Sequence, residues 1–174
     1  MASIKPKKRL SVIIPSLNEA NQLPLLLADL HLWTEKIDLI IVDCGSKDKT
    51  CLLATLAGAR VLHLSEANRG EQLKHGASRA HGDWLFFLHA DSRLPENWFF
   101  ILAELINSSN EGIAWFFEFK VLSKDLSFRL LEFFVWLRSH FKKMPYGDQG
   151  LLISKKLYEE IGGYSSIHLM EDID

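Results

Sequence analysis

Three short polar segments, each placed directly after an apolar run, carry the side chains that could do chemistry in this chain. They are Pro15 to Glu19, Asp43 to Asp48 and His89 to Pro95. An ionised Asp43 is an acceptor-only group and can take a hydrogen bond from a ring N–H of the uracil type. Asn18, Glu19 and Asp48 can bind a ligand or, equally, cap the helices that follow them. Arg69 opens a segment of helical character, where free backbone N–H groups can face phosphates. Gly147, Asp148, Gln149 and Gly150 make a tight polar turn.

The apolar runs before these segments read as strands, and the stretches after them as helices. Leu10 to Ile14, Asp38 to Val42, Val61 to Leu64 and Trp84 to Leu88 are expected strands, the first ended by Pro15, which cannot donate to a sheet ladder. Asn18 is a candidate N-cap for a helix whose leucines 23, 26, 27 and 30 share one face. Ser46 or Asp48 can cap the next helix, which carries Leu52, Leu53 and Leu56 toward Gly58. Further helices are expected over 69–81, 96–106 and 125–141, with an extended aromatic segment at 113–121. A strand over 151–154 and a short helix stopped by Gly162 and Gly163 complete the reading. The repeating β-then-α order implies right-handed crossovers and a largely parallel α/β sheet covered on both faces. In such a sheet ligands bind beyond the carboxyl ends of the strands, so the three polar segments should meet in one crevice, a nucleotide site.

Composition narrows the function classes. The 174 residues are 48% hydrophobic and 24% charged with a net charge of -2, which fits one globular domain over 1–174 and offers no electrostatic footprint for nucleic acid. Lys5, Lys7, Lys8 and Arg9 form a small basic flank. The apolar run after it, interrupted by Pro15 and Asn18, has neither the length of a membrane span nor a signal-peptide cleavage site, so a cytoplasmic location is expected. Cys44 and Cys51 make no disulfide framework and, by spacing alone, no metal motif. The first strand-to-helix turn lacks G-x-G-x-x-G, which argues against a dinucleotide oxidoreductase.

Five segments in order, SVIIPSLNEANQLPLLL, IIVDCGSKDKT, GDWLFFLHADSRLP, GDQGLLISKKLYEEIGGY and MEDID, resemble family 2 glycosyltransferases of the GT-A, Rossmann-like fold. Within that family the chain is similar to a bacterial subgroup with H-A-D in place of D-x-D. The resemblance implies a donor site for a nucleoside-diphosphate sugar, expected to be UDP-linked, with Asp43 against the base and Pro15, Asn18, Glu19, Arg69 and Asp91 around the nucleotide. It implies a divalent cation held by Asp91 with His89; imidazole suits Mn²⁺ better than Mg²⁺. Asp148, Gln149 and Glu171 fall on the sugar or acceptor side, and Asp172 corresponds to the general base of an inverting transfer. Family members continue beyond this E-D pair, so a truncated domain is expected, with part of the acceptor side absent.

The acceptor is open at this stage. The 125–141 segment is apolar and runs into Arg138, His140, Lys142 and Lys143, a pattern compatible with core packing or with peripheral membrane contact beside a lipid-linked acceptor. Two other functions remain open: a non-catalytic sugar-nucleotide-binding domain, and a nucleotidyltransferase, although PSLNEANQLP lacks the Gly-rich, basic signature usual for the latter.

Overall fold

A computed structural model describes residues 8–33, 36–66, 68–108, 111–117 and 150–164. Six strands form one sheet in the order β3-β2-β1-β4-β6-β5. They are β1 (Leu10–Ser16), β2 (Asp38–Asp43), β3 (Arg60–His63), β4 (Trp84–Phe87), β5 (Trp115–Phe116) and β6 (Leu151–Ser154). β1 to β4 run parallel, whereas β6 pairs antiparallel with both β4 and β5. The helices are α1 (Leu23–Leu30), α2 (Thr50–Leu56), α3 (Arg69–Ser78), α4 (Trp98–Asn107) and α5 (Lys155–Glu160).

The alternation of side chains along each strand divides the core in two. Val12 and Ile14 of β1, Ile41 of β2 and Trp84 and Phe86 of β4 face Leu23, Leu26 and Leu30 of α1, Ala54 of α2 and Trp98 and Leu102 of α4. Ile13, Ile40, Val42, Leu85 and Phe87 face the other way, onto Leu73 and Ala77 of α3 and Tyr158 of α5. Because both faces are covered, β1 and β4 are buried along their whole length, which is why they read as unbroken apolar runs. The small residues of α3 let it lie close to the sheet: a Cβ on Gly76 would come within 2.4 Å of Ile13 Cγ2.

Several sequence expectations shift. β1 continues through Pro15 to Ser16, with Pro15 in register with Val42. Successive residues of a strand bond to alternate neighbours, and the Ser16 carbonyl accepts from Cys44 on the β2 side. The missing N–H of Pro15 therefore falls on the β4 side, where strand pairing has ended at Ile13 opposite Phe87. Asn18 is not an N-cap: α1 begins at Leu23, and the N-cap residue Gln22 makes no side-chain cap bond. The expected 96–106 helix starts at Trp98, the 69–81 helix ends at Ser78, and the third strand is Arg60–His63. In α2 the buried stripe is Thr50 and Ala54, while Leu52 and Leu56 are 55% and 75% exposed; the helix packs through its small residues. The expected 125–141 helix and the end of the 113–121 segment lie outside the described residues, where β5 covers only Trp115–Phe116. No helix among the described residues is long and apolar enough to cross a membrane.

Candidate functional site

The strand order reverses beside β1, with β2 on one side and β4 on the other, and all three strands end on the same edge of the sheet. The loops following them carry Asn18 and Glu19, Asp43 to Asp48, and His89 to Asp91. Polar contacts join the first two loops. Asn18 adopts φ 57°, a left-handed conformation that Asn tolerates better than most residues, and accepts the Lys47 amide on Oδ1 at 2.8 Å. The backbone N–H of Glu19 donates to Thr50 Oγ1 at 2.8 Å, and that of Ala20 to Asp48 Oδ2 at 3.0 Å. Asp48 also accepts the amide of Thr50, the first residue of α2, at 3.0 Å. Asp48 thus holds the first amide of α2 from one position outside the cap: the N-cap residue is Lys49, which makes no side-chain cap bond, and Ser46 turns away from the helix to Asp43.

Asp43 closes β2 with no exposed surface. Its Oδ1 accepts from Ser16 Oγ at 3.0 Å and from Ser46 Oγ; its Oδ2 accepts the amides of Gly45 at 3.0 Å and Ser46 at 2.9 Å. Burial opposes its ionisation, but the hydrogen bonds from Ser46, Ser16 and Cys51 outweigh it and hold the carboxyl below the usual carboxylate range. An ionised, hydrogen-bonded Asp43 organises the loop, and a ligand N–H reaches it by replacing one of these donors.

Beyond β4, Asp91 is exposed and His89 half-buried, and the Ser92 amide donates to the His89 carbonyl at 3.1 Å. Glu19 lies within electrostatic reach of both other loops. Burial first, then Asp91 and Asp48, push its carboxyl above the ordinary range. Carboxylates that repel one another at a sheet edge fit a hard divalent cation, for which carboxylate oxygens are the preferred donors. His89 adds a nitrogen donor acceptable to Mn²⁺.

Two supports for these loops carried no recognisable sequence signal. Gln72, buried on α3, donates through Nε2 to the Ser16 carbonyl at 3.1 Å and to the Val42 carbonyl at 2.7 Å, tying the ends of β1 and β2 together. Asp29, on α1, takes Arg93 Nε at 2.7 Å, Arg93 Nη2 at 2.9 Å and the Leu94 amide at 3.1 Å. The segment following Asp91 is thereby clamped to α1. The distance in sequence, 64 residues between Asp29 and Arg93, hides this pair from any local reading.

Pro15 is buried at the end of β1, and Arg69, exposed, is the first residue of α3. Asn68 caps α3, accepting the Glu71 amide at 3.1 Å. Asp148, Gln149, Glu171 and Asp172 lie outside the described residues. Gly150, next to Gln149, is at φ 70° with its Cα against the Phe87–Leu88 end of β4, so close that a Cβ would lie 3.2 Å from Leu88 Cδ2. A cavity of about 550 Å³ lies at the opposite edge, where the strands begin, lined by Arg9, Asp38, Arg60 and His81 among others, and includes none of the sequence-nominated residues.

Comparison with known proteins adds a family and a fold. The profile described as "Glycosyl transferase family 2" matches residues 11–168. The 4,4'-diaponeurosporenoate glycosyltransferase of Staphylococcus haemolyticus is 35% identical over 92 residues, covering 49% of this chain and 24% of that protein. Among solved structures, S. aureus TarS 1–349 in complex with UDP-GlcNAc superposes with a TM-score of 0.71 at 14% identity, covering 95% of this chain and 53% of the other. The mannosyltransferase PcManGT from Pyrobaculum calidifontis, in complex with GDP-Man and Mn²⁺, gives 0.70 at 17% identity, covering 94% and 49%. The chain spans about a quarter of the length of the curated relative and about half of each structural neighbour.

Proposed function

Since the chain belongs to glycosyl transferase family 2, we propose that it binds a nucleoside-diphosphate sugar at the carboxyl edge of β1, β2 and β4 and transfers the sugar to an acceptor with inversion. The observation that carries this reading is the parallel register of β1, β2 and β4, which places the loops bearing Glu19, Asp48 and Asp91 on one edge beside the buried Asp43. Asp43 accepts the base N–H, and a uracil base offers one of the right kind. Pro15, Asn18 and Glu19 form the wall of the nucleotide site, and Arg69 with the amino end of α3 faces the diphosphate. Asp91 and His89 hold the divalent cation. Bound there, a cation supplies charge neutralisation at the diphosphate leaving group. Asp148, Gln149 and Glu171 orient the sugar and acceptor, and Asp172 takes the acceptor hydroxyl proton. A lipid-linked acceptor is favoured by the apolar 125–141 segment and its basic end. The ligands named for the two structural neighbours, UDP-GlcNAc in one and GDP-Man with Mn²⁺ in the other, support a nucleotide-sugar donor and a cation.

Thermal melting with UDP, GDP and NAD, each with and without Mn²⁺, tests the reading, because a ligand that binds only the native state raises the melting temperature. UDP should stabilise the protein, more so with Mn²⁺, and Asp91→Asn should remove the Mn²⁺-dependent part alone. Flat curves for every nucleoside diphosphate would overturn the donor assignment. An undiminished Mn²⁺ response in Asp91→Asn would remove Asp91 from the cation site.

A further inference from the structure

Besides the part given to it at the donor, Asp43 belongs to a second group of metal-ligating side chains, with Cys51 and His63. His63 closes β3 in register with Asp43 at the end of β2, and the Leu64 amide donates to the Asp43 carbonyl at 2.9 Å. Residues in register on parallel strands project to the same face, here the face covered by α2. The first turn of α2 brings Cys51 to this point, within ligand distance of the Asp43 carboxylate. One ligand atom each from Asp43, Cys51 and His63 lies within 4.8 Å of the other two. Asp43 is buried, Cys51 half-buried and His63 exposed.

We propose that Asp43, Cys51 and His63 form a second cation site, selective for a borderline ion such as Zn²⁺ and separate from Asp91 and His89. The donor set decides the selectivity. One thiolate, one imidazole and one carboxylate are the usual ligands of tetrahedral Zn²⁺, whereas Mg²⁺ takes oxygen ligands in octahedral geometry and dehydrates reluctantly. Tetrahedral bonds of about 2.0–2.3 Å set ligand atoms roughly 3.3–3.8 Å apart, so a pair at the outer limit of 4.8 Å closes up on binding. The ion takes the place of the Cys51 thiol proton. That proton leaves to solvent, the sulfur binds as thiolate and the imidazole binds neutral. The fourth position opens toward water beside His63. Occupancy links α2 to the ends of β2 and β3.

Cobalt(II) reports the site directly, since a cobalt-bound thiolate gives a charge-transfer band in the near ultraviolet and a tetrahedral ion gives strong visible bands. Titration of the 174-residue chain with Co²⁺ should produce both, saturating at one equivalent, and Zn²⁺ should bleach them while excess Mg²⁺ leaves them in place. Cys51→Ser should abolish the charge-transfer band with its melting temperature near that of the parent. His63→Gln, at an exposed position, should weaken Co²⁺ binding by at least the roughly tenfold that losing even an outer partner costs. Absence of a thiolate band in the parent, its survival in Cys51→Ser, or unchanged affinity in His63→Gln overturns the site.

Discussion

Asn18 donates its backbone amide to Ser46 Oγ at 2.7 Å, so the loop after β1 is held by the loop after β2. The Ser46 hydroxyl in turn donates a hydrogen bond to Asp43, and the contact therefore ends at the buried carboxylate. The geometry of Asn18 governs this relay. Asn18→Gly keeps the left-handed backbone and loses only the acceptor for Lys47, an expected cost of about 0.5–1.5 kcal/mol in urea unfolding. Asn18→Val should cost about 1–2 kcal/mol more, because a β-branched residue is strained at φ 57°. Equal stability of the two variants would show that the loop relaxes out of this conformation.

At the opposite edge, Asp38 should contribute to acid sensitivity. Burial raises its pKa, but the His81 amide, Ser11 and Arg60 lower it further, and the net shift is below the ordinary value of 3.8. The unfolded state then binds more protons than the native one in that range. The contribution is fully present above pH 3.8 and is lost as pH falls through the lower, folded value. Urea unfolding followed from pH 6 down to about pH 3 should show a shallower acid decline in Asp38→Asn than in the parent, from a lower starting stability. Identical slopes would mean that Asp38 titrates alike in both states.

Asp29 should act on the cation site through Arg93 and Leu94. Asp29→Ala frees the segment after Asp91, so the affinity for UDP with Mn²⁺ should fall by roughly tenfold, the range seen for partners that orient metal ligands. Affinity for UDP without metal should be unchanged. Calorimetric titration under the two conditions separates this role from a general loss of folding, which lowers both.

Asp172→Asn should lower turnover by roughly 10²-fold or more, the scale for loss of a general base. Its affinity for the nucleoside diphosphate should match the parent, because the base acts on the acceptor. Transfer assays beside equilibrium binding check both halves, and unchanged turnover would dismiss Asp172 as the base.

The parallel core of the fold was legible because its signals are local. The runs at β1, β2 and β4 are apolar throughout, and leucines 23, 26 and 30 keep the helical period and are buried on α1. The family resemblance agrees with the matched profile, which spans the first four motifs and ends before MEDID. Less legible were features set by tertiary contact. Asn18 has the chemistry of an N-cap, yet its side chain bonds to Lys47 across 29 residues. Leu52 and Leu56 have the spacing of a buried face, yet Ala54 makes the contact. Cys51 and His63 are twelve positions apart and match no metal motif by spacing; only the β2–β3 register brings them to Asp43.

β5 and β6 give the sheet a further property. Phe116, the last residue of β5, is in register with Leu151, the first of β6, and Leu151 is in register with Phe87 at the carboxyl end of β4. The chain therefore departs and re-enters at neighbouring points, on the same side as Asp43 and Asp91. Closing a loop costs entropy that grows only logarithmically with its length, about 0.6 kcal/mol per doubling. A connection that leaves and returns at one point can accordingly differ in length with little penalty to the sheet. On the proposed reading, acceptor choice falls to a cassette inserted at one address beside the donor floor.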